Sequence, residues 1–101
     1  MTYEKIWGVY VSDADEYPKY RQGMMPILES FGGSFGYDFN VSEVLRSKTG
    51  DAINRVFTIE FPSKQEMGSF FTEPEYLFIK QAHFNKSVNN VTTISMHEKT
   101  T

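Results

Sequence analysis

Few residues in this sequence have the type and position to do chemistry, and the first is Glu60. It sits in the run Arg55-Val56-Phe57-Thr58-Ile59-Glu60-Phe61, where Phe57, Ile59 and Phe61 alternate with Val56, Thr58 and Glu60. Alternation is the period of a strand, so Glu60 points away from the face that carries the large apolar side chains. If that apolar face packs on helices, Glu60 faces the uncovered side of the sheet. A carboxylate withdrawn from water there favours its neutral form and becomes a general acid or base. The plainer account is a cross-strand pair with Arg55, Arg46 or a lysine. His83, one of two histidines, shares a helical stripe with Tyr76 and Ile79. Imidazole suits proton transfer near neutral pH, and the Tyr76 hydroxyl would assist it. Trp7, Tyr10 and Tyr37 offer flat faces on which a planar ligand could stack, and Arg21 offers a cation for an anionic group. Each has an ordinary counterpart: a histidine with a satisfied hydrogen bond, core aromatics, a solvated helix charge. Asp38 and Asn40 either line a cleft or meet water, and His97 stands close to the chain end.

Other chemistries are excluded by what surrounds these residues. There is no cysteine, which removes disulfides, thiolate metal sites and a cysteine nucleophile together. Two distant histidines without an HExxH spacing make no metal signature, and no cofactor-binding motif is present. Gly32-Gly33-Ser34-Phe35-Gly36 is glycine-rich but follows a helix and precedes a strand, the reverse of a phosphate cradle. Ser34-Phe35-Gly36-Tyr37-Asp38-Phe39 is similar to an RNA-recognition strand, but it falls on the second strand and lacks basic residues. No nucleophile elbow or Ser-His-Asp pattern stands out along the chain. The net charge is −3 with no basic block, which disfavours a nucleic-acid partner. No apolar run reaches the ~20 residues of a membrane helix. With no secretory signal before the first strand, the expected setting is cytoplasmic.

These residues are positioned by six elements within a single expected domain, residues 1–101 with a core of about 3–97. Tyr3 to Val11 alternates as a strand, with Trp7, Val9 and Val11 on one face and Ile6, Gly8 and Tyr10 on the other. Asp13 or Asp15 caps a helix carrying Tyr17, Tyr20, Met24, Ile27/Leu28 and Phe31, with Pro26 expected to kink it. Gly32-Gly33 ends that helix. Ser34 to Leu45 reads as a second strand with Phe35, Tyr37, Phe39 and Val41 on one face. Ser47 to Asp51 is the mobile loop before the strand Arg55–Phe61. Ser63-Lys64-Gln65-Glu66 is a capping box opening a second helix, which Pro74 restarts. Val88 to Met96 is the last strand, and His97 to Thr101 a frayed tail. The order βαββαβ gives an α+β, ferredoxin-like four-stranded antiparallel sheet with its helices on one face.

With those blocks in order, the chain resembles domain-of-unknown-function family 1330, in the dimeric α/β-barrel superfamily. The likeness is carried by Tyr17-x-x-Tyr20-Arg21, Pro26-Ile27-Leu28-x-x-Phe31-Gly32-Gly33, Phe61-Pro62-Ser63 and Pro74-Glu75-Tyr76. The resemblance implies two sheets paired face to face into a shared barrel, and no particular reaction. Members usually carry arginines where this chain has Ser34 and His83, so a role of those arginines in binding anions does not transfer. Pairing is also expected on physical grounds. A sheet with helices on one face should show water a polar second face, yet the first strand carries large apolar residues on both.

Three functional classes follow. The first is a cofactor-free enzyme or binder of a small apolar or aromatic metabolite inside the barrel, with Glu60, His83 and Tyr76 as acid/base residues. The second is a non-catalytic dimeric regulatory or structural module. The third, by fold analogy alone, is an antibiotic-biosynthesis-type monooxygenase or haem-degrading enzyme. Haem-degrading relatives use an Asn, Trp and His set. Here Trp7 lies on the first strand and Phe70 and Phe71 stand on the second helix, so that set is not reproduced.

Overall fold

The computed structural model describes residues 1–100, and its strands form where alternation is strongest. β1 (Thr2–Val11), β2 (Ser34–Asn40), β3 (Arg55–Phe61) and β4 (Val88–Lys99) make one antiparallel sheet in the order β2-β3-β1-β4. α1 (Tyr17–Ser30) joins β1 to β2. α2 (Lys64–Thr72) and α3 (Pro74–Ile79), followed by a wide π-type turn over Lys80–Phe84 and a last turn at Asn85–Ser87, join β3 to β4. This element order with this sheet order is the ferredoxin-like α+β fold. No helix among the described residues is long and apolar enough to cross a membrane.

The helices cover one face only. Trp7 and Val9 of β1 and Phe57, Ile59 and Phe61 of β3 meet Tyr17, Tyr20, Met24 and Leu28 of α1 and Met67, Phe70 and Tyr76 from the second helical layer. Burying each such side chain contributes about 1.5–3 kcal/mol, so this layer dominates stability. Local chemistry sets the boundaries. Pro18 occupies the first turn of α1, where its missing N–H costs nothing, and Gly32 leaves the helix at φ 75°, the left-handed conformation glycine favours. Ser63 Oγ accepts the Glu66 N–H at 3.2 Å, as the capping box predicts. Glu73 breaks the next helix by adopting an extended ψ of 126° just before Pro74.

Four expectations need correction. β2 ends at Asn40 rather than Leu45, and its alternation is broken by a bulge. Phe35 pairs with Ile59 but Asp38 pairs with Phe57, so Gly36 and Tyr37 together oppose Thr58. The extra residue sends Phe35 and Asp38 to the helix side and Phe39 to the open side. Second, the Val41–Asn54 connection is longer than a hairpin turn, and its last residue is held to β1. Asn54 Nδ2 donates to Val11 O, its Oδ1 accepts from Val11 N, and its backbone N–H donates to Val9 O. The loop then crosses the open face so closely that a Cβ on Gly8 would lie 2.8 Å from Ile53 Cδ1. Third, β4 continues through His97 to Lys99, paired with β1, so these residues are strand rather than tail; Thr101 lies outside the described residues. Fourth, the π-type turn advances the buried helical stripe. Phe84 is buried where the spacing from Tyr76 and Ile79 pointed to His83, and His83 sits at the rim.

Candidate functional site

The open face of the sheet has two unlike ends. One end is apolar. Tyr37 and Phe39, thrown onto this side by the bulge, stack with ring centres 5.8 Å apart and remain 62% and 54% exposed. Tyr10 is also exposed there, and Ile6 and Val56 lie half-buried on neighbouring strands. Beside β4 the loop leaves a cleft of 410 Å³ lined by Arg46, Lys48, Ile53, Thr92 and Ile94.

The other end is a hydrogen-bonded ionic cluster drawn from three strands. Glu4 and Glu60 are cross-strand partners on β1 and β3, and His97 pairs with Glu4 from β4. Lys99 Nζ bridges the carboxylates at 3.6 Å from Glu4 Oε2 and 3.5 Å from Glu60 Oε2. The attraction of Glu60, then of Glu4, holds the Lys99 ammonium above its ordinary pKa. Thr2 Oγ1 donates to Glu60 Oε1 at 2.8 Å. His97 Nε2 is 3.0 Å from Glu4 Oε1, and Ser95 Oγ is 2.6 Å from His97 Nδ1. Glu4 is the most enclosed member, its side chain only 10% exposed.

Glu60 therefore lies on the uncovered side of the sheet, as its strand period predicts. The structure does not gather the other acid/base candidates around it. Tyr76 is buried on the opposite side of the sheet, its hydroxyl 3.0 Å from that of Tyr20. Burial pushes the Tyr76 hydroxyl up to about 12 and that of Tyr20 well above its usual value. His83 is paired with Glu16 at the start of α1, and this hydrogen bond holds the Glu16 carboxyl below its usual range. The sheet separates both residues from Glu60.

The aromatic candidates divide in the same way. Tyr10 and Tyr37 are on the open side. Trp7 is in the core, edge-on to Phe57 at 5.3 Å and tilted against Phe71 at 5.3 Å, so the three cannot stack on one ligand. Lys5 caps its ring at 4.1 Å, and burial lowers the pKa of that ammonium. Arg21 is committed as well. It lies 4.2 Å over the Phe35 ring and donates to Tyr17 and Asp38. Arg55 grips the same carboxylate at 2.7 and 2.8 Å, holding Asp38 below the usual carboxylate range.

Sequence reasoning passed over Glu4, Ser95 and Lys99 and set His97 aside. One signal was available: Ser95 and His97, two apart on a strand, must share a face. That Glu4 joins them follows only from the sheet order. No group of three or more His, Cys, Asp or Glu able to hold a metal lies among the described residues.

A family profile described as a domain of unknown function (DUF1330) matches residues 5–96. No curated protein matches the chain. Among solved structures, the chain is similar to a Rhodopseudomonas palustris protein of unknown function, at TM-score 0.82 and 17% identity over 99% of this chain and 83% of that one. An Arabidopsis thaliana protein matches at TM-score 0.67 and 14% identity, covering 98% of this chain and 88% of the other. A Bacteroides fragilis protein, described as dimeric, of unknown function and ferredoxin-like, matches at TM-score 0.55 and 13% identity over 97% and 96%.

Proposed function

The chain belongs to the DUF1330 family, and from that premise we propose that two copies pair through their open sheet faces and enclose a pocket for a small apolar or aromatic metabolite. The observation that carries this reading is the stacked Tyr37–Phe39 pair, left more than half exposed on a face that also holds Tyr10, Ile6 and Val56. Such a patch on a small domain marks an interface. A second copy is the fitting cover, because a sheet face that meets itself about a two-fold axis needs no other complementary surface. The dimeric assembly of the Bacteroides fragilis protein supports the same choice. The ionic cluster explains why pairing would leave a cavity. Packing a second apolar surface onto Glu4, Glu60 and Lys99 would strip their water at a cost of several kcal/mol per ion, so the polar end favours a gap that holds solvent or ligand.

In that gap Glu60, steadied by Thr2 and Lys99, serves as the acid or base of a cofactor-free reaction on the metabolite. Sedimentation equilibrium tests the pairing, with a dimer expected at micromolar concentration; a monomer there overturns it. A panel of small aromatic metabolites read by thermal shift tests the pocket. A binder that stabilises the native protein and loses its effect in Glu60→Gln supports the reading, and a panel with no binder counts against it. The second reading is a non-catalytic dimeric module, and one observation favours it: Glu60 and Glu4 already have partners in Lys99 and His97. A protein that sediments as a dimer and is stabilised by no member of the panel would select that reading.

A further inference from the structure

The strongest cluster not used so far is Ser95–His97–Glu4. Both ring nitrogens of His97 are occupied, Nδ1 by Ser95 Oγ at 2.6 Å and Nε2 by Glu4 Oε1 at 3.0 Å. A carboxylate only accepts, so a neutral imidazole that makes both bonds must carry its proton on Nε2. Nδ1 is then the acceptor, and Ser95 Oγ–H donates to it. A hydroxyl within reach of a base that is itself oriented by a third group is the signature of an activated nucleophile.

The elements hold the three in place. Ser95 and His97 are two apart on β4 and share the open face, and Glu4 is the direct cross-strand partner of His97. Lys99 fixes the far oxygen of Glu4 at 3.6 Å. The register passes from Ile6↔Ser95 to Trp7↔Thr93, which makes Ile94 an extra, bulged residue next to Ser95. That bulge interrupts the ladder directly beside Ser95.

We propose that Ser95 is an acyl-transfer nucleophile, with His97 as its base and Glu4 positioning His97, acting on a carboxylic ester of a small apolar or aromatic acid. Ser95 Oγ attacks the ester carbonyl while its proton passes to His97 Nδ1. The tetrahedral intermediate collapses, the C–O bond to the alcohol breaks, and His97 returns the proton to that alcohol. Water then attacks the Ser95 ester with His97 again as base, releasing the acid and restoring the hydroxyl. The imidazolium formed in each half is held by Glu4, as in other serine–histidine–carboxylate sets. The proposal deepens the pocket reading and rests on its placing the ligand at the open face.

The test is covalent labelling of the native protein with a fluorophosphonate, located by peptide mass. One adduct on Ser95 is expected, absent from Ser95→Ala. No adduct, or an adduct that survives in Ser95→Ala, overturns the proposal. His97→Gln should slow labelling at least ~100-fold, the usual worth of a positioned base, and an unchanged rate overturns its role. Glu4→Gln should slow labelling while leaving Ser95 the labelled residue, because the imidazole loses the carboxylate that orients it, and Glu4→Asp should recover part of the rate; an unchanged rate in Glu4→Gln overturns the part given to Glu4. Labelling reads Ser95 itself and the aromatic panel reads the enclosed pocket, so either can fail without the other.

Discussion

The two faces of the sheet are built from the same strands, one residue apart, and they are governed by different physics. On the helix side Phe57, Ile59 and Phe61 are each 1% exposed. Tyr20 enters this side with Tyr76 as partner and Asp38 with Arg21 and Arg55, while Trp7 Nε1 is buried there without a hydrogen-bond partner. On the open side the stacked aromatics stand in water at one end, and the ionisable groups lie at the other, joined to each other across three strands. The helix side is specified by packing and the open side by charge geometry. A fold can therefore be read from one face while the candidate site lies on the other.

The contrast is broken most severely from the helix side. Phe70→Ala removes a fully buried ring and should cost about 3–5 kcal/mol in denaturant unfolding, whereas Tyr37→Ala should stay within about 0.5 kcal/mol for the monomer. On the open side the measurable loss should be association. Phe39→Asp is expected to weaken self-association by about 2 kcal/mol, roughly 30-fold in sedimentation, with monomer unfolding little changed. Tyr76→Phe asks whether satisfied polar atoms matter on the packed side. It leaves the Tyr20 hydroxyl without its partner and should cost about 1–2 kcal/mol by thermal or chemical melts.

The smallest effect concerns Asp38, whose folded pKa lies below the unfolded value because of Arg55 first and then Arg21. A group of this kind contributes stability that is present above its unfolded pKa and lost as pH falls through the folded one. Urea unfolding followed downward from neutral pH should show that loss, and Asp38→Asn should remove it. Because Asp38 is largely solvent-screened, the change should be about 1 kcal/mol or less.

Much of the fold was legible because β1, β3 and the helix signals are local. Trp7 and Val9 alternate without interruption, Ser63 caps as its spacing requires, and Gly32 ends α1. Less of the candidate site could be read. Glu60 was placed on the correct face by period two alone. Phe35, Tyr37 and Phe39 alternate cleanly in sequence, yet the bulge lies in the pairing with β3, which no local pattern records. His97-Glu98-Lys99 has the polar composition of a tail, and only its ladder with β1 makes it strand. Trp7 was grouped with Tyr10 and Tyr37 by residue type, although parity within β1 alone separates Trp7 from Tyr10.

The bulge in β2 has a consequence for comparing this chain with its relatives. Beyond Gly36–Tyr37 the strand obeys the opposite parity from the one it starts with. A relative shorter by one residue at that point would present the counterpart of Asp38 to the open face and the counterpart of Phe39 to the helices, with no substitution at either position. An insertion or deletion there acts as a half-turn of the strand rather than a change of length. Column-by-column comparison across it would equate open-face residues with core residues. Strand partners, rather than sequence neighbours, are the coordinate in which this edge of the molecule is inherited.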